Sequence, residues 1–491
     1  MNDDKVRITL TKKPLASERE EIRQKKHNRN IKILIATSCL VIGIMIGLVV
    51  GINNEVKLLS SSNTKLDGIK DLINQYWLYG NEYDDLSTYL DDRAYYGMTY
   101  FSDDPYTTYQ SKEELEEFTT SINMDFVGVG ITYVNHGDYI LVERVFKDSP
   151  AQKAGILPGD IIHTVDNIDI KGMKSEDIKK LVIGKEGTKV TLGLERQGKD
   201  LAFDVIRGYV DSTCYAYEIN DNVILEINSF GNNTHNQVIK YLDKYQDKDK
   251  LIIDLRNNTG GFQTALEYIA GIFLGDDVLV MREIDKNGNE IESYTKTDVY
   301  YDNFKEIAIL INDNTASAAE VLTMALVELH PNAYTIGTTS FGKGVVQSTI
   351  PFKDGSALKL TTYKWVSPNG IWINDTGIKP DYEVLLDDAI YVAYLPMEDN
   401  LSFKYNDINE YIRKSALALR YLGYDIKRVD GLFDDSFNEA LKAFESDCQI
   451  EVDGILDKDT YDAIVSALKL EYSTNHDKDN QLQKALELIN D

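Results

Sequence analysis

Residues Leu310–Phe352 read LINDNTASAAEVLTMALVELHPNAYTIGTTSFGKGVVQSTIPF. The small residues of TASAAE lead into VLTMALVEL, an apolar run of good helix formers that ends at His330-Pro331, where proline breaks the hydrogen-bond ladder. This pattern predicts that Ser317 lies at or near a helix start, among free backbone N–H groups and at the positive end of the helix dipole. That setting suits a nucleophile. The alternative is that Ser317 only caps the helix.

Lys343 follows in the same stretch, between glycines in FGKGVVQ. A lysine acts as a general base only when it is neutral, and burial favours the neutral amine because it disfavours the ammonium. Gln347 lies at an even offset from Lys343, which places both side chains on one face if the strand is regular. The amide oxygen of Gln347 would then orient the amine. For an isolated GKG, the alternative is a surface turn.

A second stretch, LIIDLRNNTGGF at 251–262, reads as an apolar strand that ends in Gly260-Gly261 and is followed by the helix-like QTALEYIAGIFLG. IAILINDNTASAAE repeats the plan of buried strand, polar turn and helix. Apolar strands that alternate with helices predict an α/β layer structure, whose sites collect at the carboxyl ends of the strands. Both the Gly-Gly turn and Ser317 lie at such ends. A further strand is expected at 223–231.

The composition excludes several classes of function. A chain of 491 residues is long enough for several domains, and its net charge of −28 argues against nucleic-acid binding, which needs clustered Lys and Arg. The three cysteines, Cys39, Cys214 and Cys448, are far apart and suggest neither a disulfide framework nor a metal site. Since no HExxH motif or Cys/His cluster occurs, we expect no metal ligands and no cofactor.

The N-terminal part predicts a membrane anchor. Residues 1–30 are polar and rich in cations, which is typical of a cytoplasmic tail, and the anchor over 31–52 contains the uncharged run ILIATSCLVIGIMIGLVVGI. Such a run crosses a hydrocarbon core of roughly 30 Å. The cations precede this run, so the positive-inside rule places the rest of the chain outside the cytoplasm. The protein is therefore expected to be a single-pass protein of the cell membrane. The alternative is a buried core helix. Residues 53–118 read as a helical lead-in or stalk.

Residues 119–207 change to short strands and turns and resemble a PDZ domain. The resemblance rests on GVGI, on SPAQKAGILPGDII and on GKEGTKVTL. It implies that a glycine-containing loop binds the terminal carboxylate of a peptide through backbone N–H groups, while the peptide adds a strand to the sheet edge. That loop would consist of Gly128, Val129, Gly130 and Ile131. The alternative is that these glycines only make a turn between strands.

An internal repeat marks the C-terminal domain, predicted over 405–470. VDGLFDDSFNEAL matches VDGILDKDTYDAI in the order of aspartate, glycine, apolar pair and helix. The segment resembles the small helical peptidoglycan-binding domain, which implies peptidoglycan as a partner. Glu445 stands where that family commonly has Gln, and the alternative is a helical packing or dimerisation module, which leaves a homo-oligomer open. Residues 471–491 read as a charged tail that ends in a short helix-like QLQKALELI.

The central motifs resemble the carboxyl-terminal processing peptidases, serine peptidases with an inserted PDZ domain. The resemblance is carried by TASAAE, LRNNTGG, GTTSFGKGVVQ, and KLTTYKWVSPNG with GIKPD. It implies a multidomain α/β protein with an N-terminal transmembrane helix, a PDZ-like β-rich domain inserted before an α/β peptidase core of the crotonase/ClpP-like type at 208–390, and a small all-α C-terminal domain. It also implies an endopeptidase of the bacterial envelope that recognises protein substrates by their accessible C-termini.

The same resemblance assigns roles within the core. Ser317 is the nucleophile, Lys343 the general base, and Gln347 the residue that positions the base. The oxyanion hole is formed by the N–H of Ala318 and by an N–H of the Gly-Gly turn, and the choice between Gly260 and Gly261 stays open at this stage.

One position departs from the family pattern. Many members carry an arginine in the PDZ segment that reads LVIGKEGTK here, and Ile183 occupies that position. Control by the PDZ domain is therefore expected to differ.

Two other functions compete with a Ser-Lys peptidase. One is a catalytically silent envelope scaffold that binds partners through its PDZ and C-terminal modules, and the other is a His-based triad that would have to use His235 or His330.

Overall fold

The computed structural model describes residues 64–490 except residues 124 and 212. The predicted cytoplasmic tail (1–30) and membrane anchor (31–52) lie outside the described residues. Between 64 and 490, none of the helices combines the length and the apolar character that crossing a bilayer requires. The described part of the chain divides into two units, with the boundary between Asp91 and Asp92.

The lead-in is helical, as expected, and its last part belongs to the larger unit. Thr64 caps the first helix by accepting a hydrogen bond from the N–H of Asp67, whose carboxylate accepts from the N–H of Thr64. The tyrosine-rich second helix was not predicted because it has no clear apolar stripe. The elements are α1 (Lys65–Tyr76), α2 (Leu86–Met98), β1 (Thr108–Gln110) and α3 (Lys112–Asn123).

The PDZ-like domain contains a sheet in the order β3-β4-β5-β7-β8 and a separate antiparallel pair, β2 with β9. Strand β3 is the edge of this sheet, since it pairs only with β4 among the described strands. The elements are β2 (Asp125–Gly128), β3 (Ile131–His136), β4 (Tyr139–Val145), α4 (Pro150–Ala154), β5 (Ile161–Val165), β6 (Ile168–Asp169), α5 (Ser175–Val182), β7 (Lys189–Arg196), β8 (Lys199–Ile206) and β9 (Gly208–Asp211).

The predicted peptidase core (208–390) is built on a six-stranded sheet in the order β10-β11-β12-β15-β16-β19, in which every pair except β10 with β11 is parallel. This confirms the α/β layer predicted from the alternating strands and helices. The elements are β10 (Cys214–Ile219), β11 (Asn222–Ile227), α6 (Thr234–Leu242), β12 (Lys250–Asp254), α7 (Gln263–Leu274), β15 (Glu306–Ile311), α8 (Ala318–Leu329), β16 (Ala333–Gly337) and β19 (Tyr382–Glu383).

A second, antiparallel sheet lies beside this core and runs β1-β18-β13-β14, with β17 also paired to β18. The predicted hairpin of GKGVVQSTIPF with SALKLTTYKWVSP is present as β17 (Val345–Pro351) and β18 (Ala357–Val366), which follow β13 (Leu279–Asp285) and β14 (Glu290–Tyr294). Because β1 pairs with β18, the lead-in contributes a strand to the peptidase.

Helices cover both faces of the six-stranded sheet. Successive residues of a strand point to opposite faces, so Leu251 and Ile253 pack toward α6, α7 and α8, while Ile252 packs on the other face with Leu482 and Leu486. Those two leucines belong to α12 (Asn480–Leu488), which lies in the segment predicted as a charged tail. The helix-like end of that segment is therefore a covering layer of the sheet.

The repeat of the C-terminal domain forms a small helical cluster. Phe433 and Leu456, one from each copy, are fully buried in it together with Tyr461. The same cluster includes Leu141 and Ile161 of the PDZ sheet, so the two domains share a core. The elements are β20 (Ser402–Phe403), α9 (Glu410–Leu422), α10 (Asp435–Cys448), β21 (Leu456–Asp457) and α11 (Lys458–Thr474).

Candidate active site

Ser317 occupies the N-cap of α8, at the carboxyl end of β15, as the sequence predicts. Its backbone has φ 57° and ψ −122°, a region that residues with a side chain rarely adopt and that costs on the order of 1–3 kcal/mol. The side chain is half-buried. Gly260 backs it closely, because a Cβ on Gly260 would lie 2.8 Å from the Cβ of Ser317. The strained serine is thus presented over a glycine that leaves room for it.

Glu320 ties Ser317 to the loop that carries Lys343. One carboxylate oxygen, Oε2, accepts hydrogen bonds from the backbone N–H groups of Ser317 and Lys343, both at 2.9 Å. The other, Oε1, accepts from the hydroxyl of Ser340 and the N–H of Gly342, both at 2.6 Å. Glu320 is fully buried, and burial raises the pKa of its carboxyl although these four donors oppose the shift. One buried carboxylate therefore holds both candidate residues.

Lys343 is partly buried, and its environment favours the neutral amine. Burial and, to a smaller extent, the nearby charge of Lys359 lower its pKa to about 8, while the charge of Glu320 acts in the opposite direction. The Nζ atom lies 4.8 Å from the centre of the Tyr106 ring, a cation–π contact. Within the described chain, no hydrogen bond joins this Nζ atom to Ser317.

Gln347 does not meet Lys343 in the way the sequence predicts. The expectation assumed a regular strand, but Lys343 precedes β17 and the pairing with β18 shifts register between Val346 and Gln347. The amide Nε2 of Gln347 donates to the hydroxyl of Thr361 at 3.2 Å. In the described part of the chain, no hydrogen bond joins Gln347 to Lys343.

The Gly-Gly turn approaches the helix start from the neighbouring strand. The N–H of Ala316 donates to the carbonyl of Asn258 at 2.9 Å, which fixes the turn against Ser317. The N–H of Gly260 donates to Oδ1 of the same asparagine at 2.8 Å. Among the described residues, the N–H groups of Gly261 and Ala318 have no acceptor. Ala318 directly follows Ser317, and Gly261 directly follows the glycine that packs against it.

The predicted carboxylate loop of the PDZ domain connects the β2/β9 pair with the edge strand β3. Gly128 pairs with Gly208, and Ile131 begins β3. Gly130 has φ 82° and lies against Ser149, where a Cβ would approach to 2.4 Å, so only glycine fits. Val129 is buried, and its carbonyl accepts from the N–H of Ala151. The four residues share one turn next to an unpaired sheet edge.

Ile183 lies at the C-cap of α5 and is 38% exposed. Arg207 occupies the same helix end from the strand side, where it donates to the carbonyls of Val182 at 2.7 Å and Leu181 at 2.9 Å. This guanidinium caps the helix and is buried, so it is not available for contacts with the peptidase core.

The two histidines of the competing triad have other partners. His235 stacks on Tyr268 with ring centroids 4.8 Å apart, and Nε2 of His330 contacts the carbonyl of Phe304 at 3.2 Å. Burial lowers the pKa of both rings. Neither histidine is hydrogen-bonded to Ser317 in the part of the chain that the structure describes. Across residues 64–490, no cluster of His, Cys, Asp or Glu is arranged to hold a metal ion.

Glu445 in the C-terminal domain is buried, and its Oε2 accepts a hydrogen bond from the N–H of Gly454 at 3.1 Å. Burial raises its pKa to about 7. The residue therefore packs inside the repeat and holds the turn of the second copy.

The sequence analysis missed three residues of this site: Glu320, Tyr106, and Asp104, which accepts a hydrogen bond from the hydroxyl of Thr361, the partner of Gln347. Glu320 had a recognisable signal, because Ser317 and Glu320 stand in the spacing of a capping box, S-x-x-E. Asp104 and Tyr106 had none, since they are distant in sequence and reach the site only through the pairing of β1 with β18. A residue brought in by an unpredicted strand pairing carries no local pattern.

Comparison with known protein families places three matches along the chain. Peptidase family S41 matches residues 222–384, a PDZ domain matches 127–206, and a putative peptidoglycan binding domain matches 413–464. The matches follow the order and the approximate bounds of the domains described above.

Curated relatives match along most of the chain. The probable CtpA-like serine protease of Staphylococcus haemolyticus is 32% identical over 456 residues, which cover 91% of this chain and 90% of that protein. The protein of the same description from Staphylococcus aureus (strain N315) is 33% identical over 460 residues, with 91% and 90% covered. Among solved structures, the photosystem II D1 C-terminal processing protease is 24% identical with a TM-score of 0.41, covering 65% of this chain and 92% of that chain.

Proposed function

Since this chain belongs to peptidase family S41, the C-terminal processing proteases, we propose that it is a membrane-anchored serine endopeptidase that uses Ser317 and Lys343 as a catalytic dyad. The observation that carries this proposal is the Glu320 carboxylate, which holds the backbone of both residues through the same oxygen atom. A serine on a strained helix start and a lysine with a pKa lowered to about 8 are thereby kept as neighbours.

The reaction is an acyl transfer. Neutral Lys343 takes the proton of the Ser317 hydroxyl, and the serine oxygen attacks the carbonyl carbon of the scissile peptide bond. The ammonium of Lys343 then gives its proton to the departing amine. Water, deprotonated by the same lysine, hydrolyses the acyl-enzyme and restores the serine. For the first step, the Nζ atom, which contacts the ring of Tyr106 in this structure, must come within hydrogen-bond distance of the Ser317 hydroxyl.

The negative charge on the carbonyl oxygen needs two donors. Ala318 and Gly261 are proposed for this role, because their N–H groups have no acceptor among the described residues, whereas the N–H of Gly260 is occupied by Asn258. Ala318 also begins α8, so its N–H lies at the positive end of the helix. One such donor contributes roughly 3–4 kcal/mol to the stabilisation of the transition state.

Substrates are proposed to be proteins with accessible C-termini, captured by the PDZ domain. The unpaired edge of β3 accepts the peptide as an added strand, and the turn of Gly128, Val129, Gly130 and Ile131 receives its carboxylate. The assay is cleavage of a labelled peptide with an apolar C-terminus. The same peptide with an amidated C-terminus is the control for carboxylate recognition.

Substitutions of the dyad test the mechanism. Ser317→Ala and Lys343→Ala are each expected to abolish cleavage. The melting temperature and the circular dichroism spectrum of both variants are expected to remain those of the wild type. The amidated peptide is expected to be cleaved much more slowly by the wild type. Cleavage by either variant at the wild-type rate would show that the dyad is not the catalytic group.

The location is part of the proposal. The uncharged run within 31–52 is proposed to anchor the chain in the cell membrane with the peptidase outside the cytoplasm, which follows from the cations before it. The full chain is expected to stay in the membrane fraction after an alkaline wash and to be digested by protease added to cells without a wall. A variant without 31–52 that still pellets with membranes would contradict the anchor.

Peptidoglycan is proposed as a second partner on the match of residues 413–464 to its binding domain. Purified sacculi are expected to sediment the Ser317→Ala protein, and a variant that lacks 405–470 is the comparison. Sedimentation that is equal for both proteins would assign the binding elsewhere.

A further inference from the structure

A turn of the lead-in, residues 104–107, is bound to β18 next to the active site. The hydroxyl of Thr361 donates to Oδ1 of Asp104 at 3.0 Å, and the N–H of Thr361 donates to the hydroxyl of Thr107 at 3.0 Å. Within the turn, the same Oδ1 atom accepts from the N–H groups of Tyr106 and Thr107. The turn that places Tyr106 under Lys343 therefore also holds Thr361.

The direction of these hydrogen bonds is determined at Asp104. Burial raises the pKa of this carboxyl, but the hydrogen bonds from Thr107, Tyr106 and Thr361 outweigh it and lower the pKa, so the group is ionised. An ionised carboxylate only accepts. The single hydroxyl proton of Thr361 is thus committed to Asp104, and the oxygen of Thr361 can only accept from its other neighbour.

That neighbour is Gln347. Since the Thr361 oxygen must accept, it selects the NH₂ group of the Gln347 amide, and this donor lies 3.2 Å away. The amide oxygen of Gln347 is then left as the free acceptor. A protonated lysine has three hydrogen-bond donors and no acceptor, so it needs an acceptor such as this oxygen. The N–H bonds of the neutral amine can donate to the same atom.

We infer that Asp104 and Thr361 are positioning residues that fix the amide of Gln347 with its oxygen available to Lys343. This inference rests on the proposed Ser317-Lys343 mechanism and deepens it. The Nζ atom of Lys343 contacts the ring of Tyr106 in this structure, and the relay of hydrogen bonds from Asp104 through Thr361 orients Gln347 without a contact to the lysine. Without the relay the amide rotates freely, and half of its orientations present NH₂ to the lysine.

Thr361→Val is the main variant. Valine has the shape of threonine and suits a strand, but it lacks the hydroxyl. We expect kcat to fall about tenfold or more, with KM within about twofold, because the general base is misplaced while peptide binding is untouched. Thr361→Ser, which keeps the hydroxyl, is expected to stay within about threefold of the wild-type kcat. If valine lowers the melting temperature strongly, Thr361→Ala replaces it.

Thr362→Val is the matched control. Thr362 is the next residue of β18, is also partly buried, and has its hydroxyl 2.8 Å from that of Ser348 on the opposite face. The substitution removes a hydroxyl group from the same strand, as Thr361→Val does, but this hydroxyl is not the one that contacts Gln347. Its kcat is expected to remain within about twofold of the wild type. An equal loss in both valine variants would assign the effect of Thr361 to strand stability and overturn the relay.

A double-mutant cycle separates positioning from structure. If Thr361 acts through Gln347, then Thr361→Val in a Gln347→Ala background changes kcat by less than about twofold, whereas independent effects multiply. The relay is overturned if the losses in kcat of the two single variants multiply in the double variant, or if Thr361→Val keeps the wild-type kcat. The proposed peptidase mechanism still stands in that case, as long as Ser317→Ala and Lys343→Ala are inactive. Activity in those two variants overturns the proposed function, and the relay with it.

Discussion

Glu320→Gln is the substitution that most directly tests how this site is assembled. The side chain keeps its shape but replaces one carboxylate oxygen by an NH₂ group. Each oxygen of Glu320 accepts two hydrogen bonds, so neither orientation of the amide satisfies all four donors. With NH₂ at the Oε2 position, the N–H groups of both Ser317 and Lys343 lose their acceptor and face another donor.

The other orientation of the amide costs less. With NH₂ at the Oε1 position, the Ser340 hydroxyl can turn and accept from it, and the donors that lose their acceptor are the N–H of Gly342 and the hydroxyl proton of Ser340. One buried orphan donor costs about 1–3 kcal/mol, and the two remaining bonds lose the contribution of the charge. We therefore expect the free energy of unfolding of the peptidase core to fall by about 2–4 kcal/mol. For a domain of this size, that corresponds to a melting temperature lower by roughly 5–15 °C.

Activity is measured well below the new melting temperature. Because the N–H of Gly342 then faces an NH₂ group, the loop that carries Lys343 shifts, and kcat is expected to fall on the order of tenfold to a hundredfold. The charge of Glu320 raises the pKa of Lys343, so its removal moves the rising limb of the pH profile to lower pH. Loss of stability alone would not both lower the maximum rate and move the rising limb of the pH profile to lower pH.

Glu267→Gln is the matched control for this test. Glu267 is also a buried glutamate near the start of a core helix, and it accepts from Lys296 at 2.6 Å and from Gln263 at 3.2 Å. Its substitution is expected to lower the melting temperature while kcat stays within about twofold. The reasoning fails if Glu320→Gln keeps the wild-type kcat, or if the two variants lose activity equally.

Further predictions concern the base, the turn and the C-terminal helix. The kcat/KM is expected to rise with pH and to be half-maximal near pH 8, where Lys343 becomes neutral, and Lys359→Gln should move this midpoint to higher pH because a repelling charge is removed. A midpoint that does not respond would exclude Lys343 as the titrating base. Gly260→Ala is expected to abolish cleavage, since its Cβ would collide with Ser317, whereas Gly275→Ala, with similar positive φ but open space around it, should only lower the melting temperature. Removal of α12 exposes an apolar face of the core sheet, and differential scanning calorimetry should show a large fall in the peptidase transition; an unchanged transition would mean that this helix is not part of the core.

The local parts of this fold and site could be predicted from the sequence because they depend on short-range pattern. Apolar strands followed by polar turns and helices placed Ser317 and the Gly-Gly turn at neighbouring strand ends, and the parallel pairing of β12 with β15 confirms that placement. The small residues of TASAAE and the proline after His330 similarly gave the bounds of α8 to within a residue or two.

The contacts that the sequence did not predict are those that join distant segments. The offset argument for Gln347 assumed a regular strand that already includes Lys343, but β17 begins at Val345, and the bulge that precedes the pairing of Gln347 lies in the partner strand and has no local signal. Tyr106 lies under Lys343 because β1 pairs with β18, across most of the chain. The C-terminal segment looked like a charged tail, since its few apolar residues are too short a run to indicate burial without the sheet that they cover.

Helix α11 and the start of α12 connect the PDZ domain to the core sheet through two side-chain contacts. Asp462 of α11 is hydrogen-bonded to the buried His136 of β3 at 2.8 Å, so a rotation of the PDZ sheet must either break this bond or carry α11 along. The chain continues from α11 to Asp479, which caps α12 and forms an ion pair with Arg256 at 2.8 Å. Arg256 directly precedes the turn that leads to Gly261. The edge strand proposed to receive a peptide is therefore connected to the Gly260-Gly261 turn, the proposed oxyanion site, through side chains that do not include Ile183.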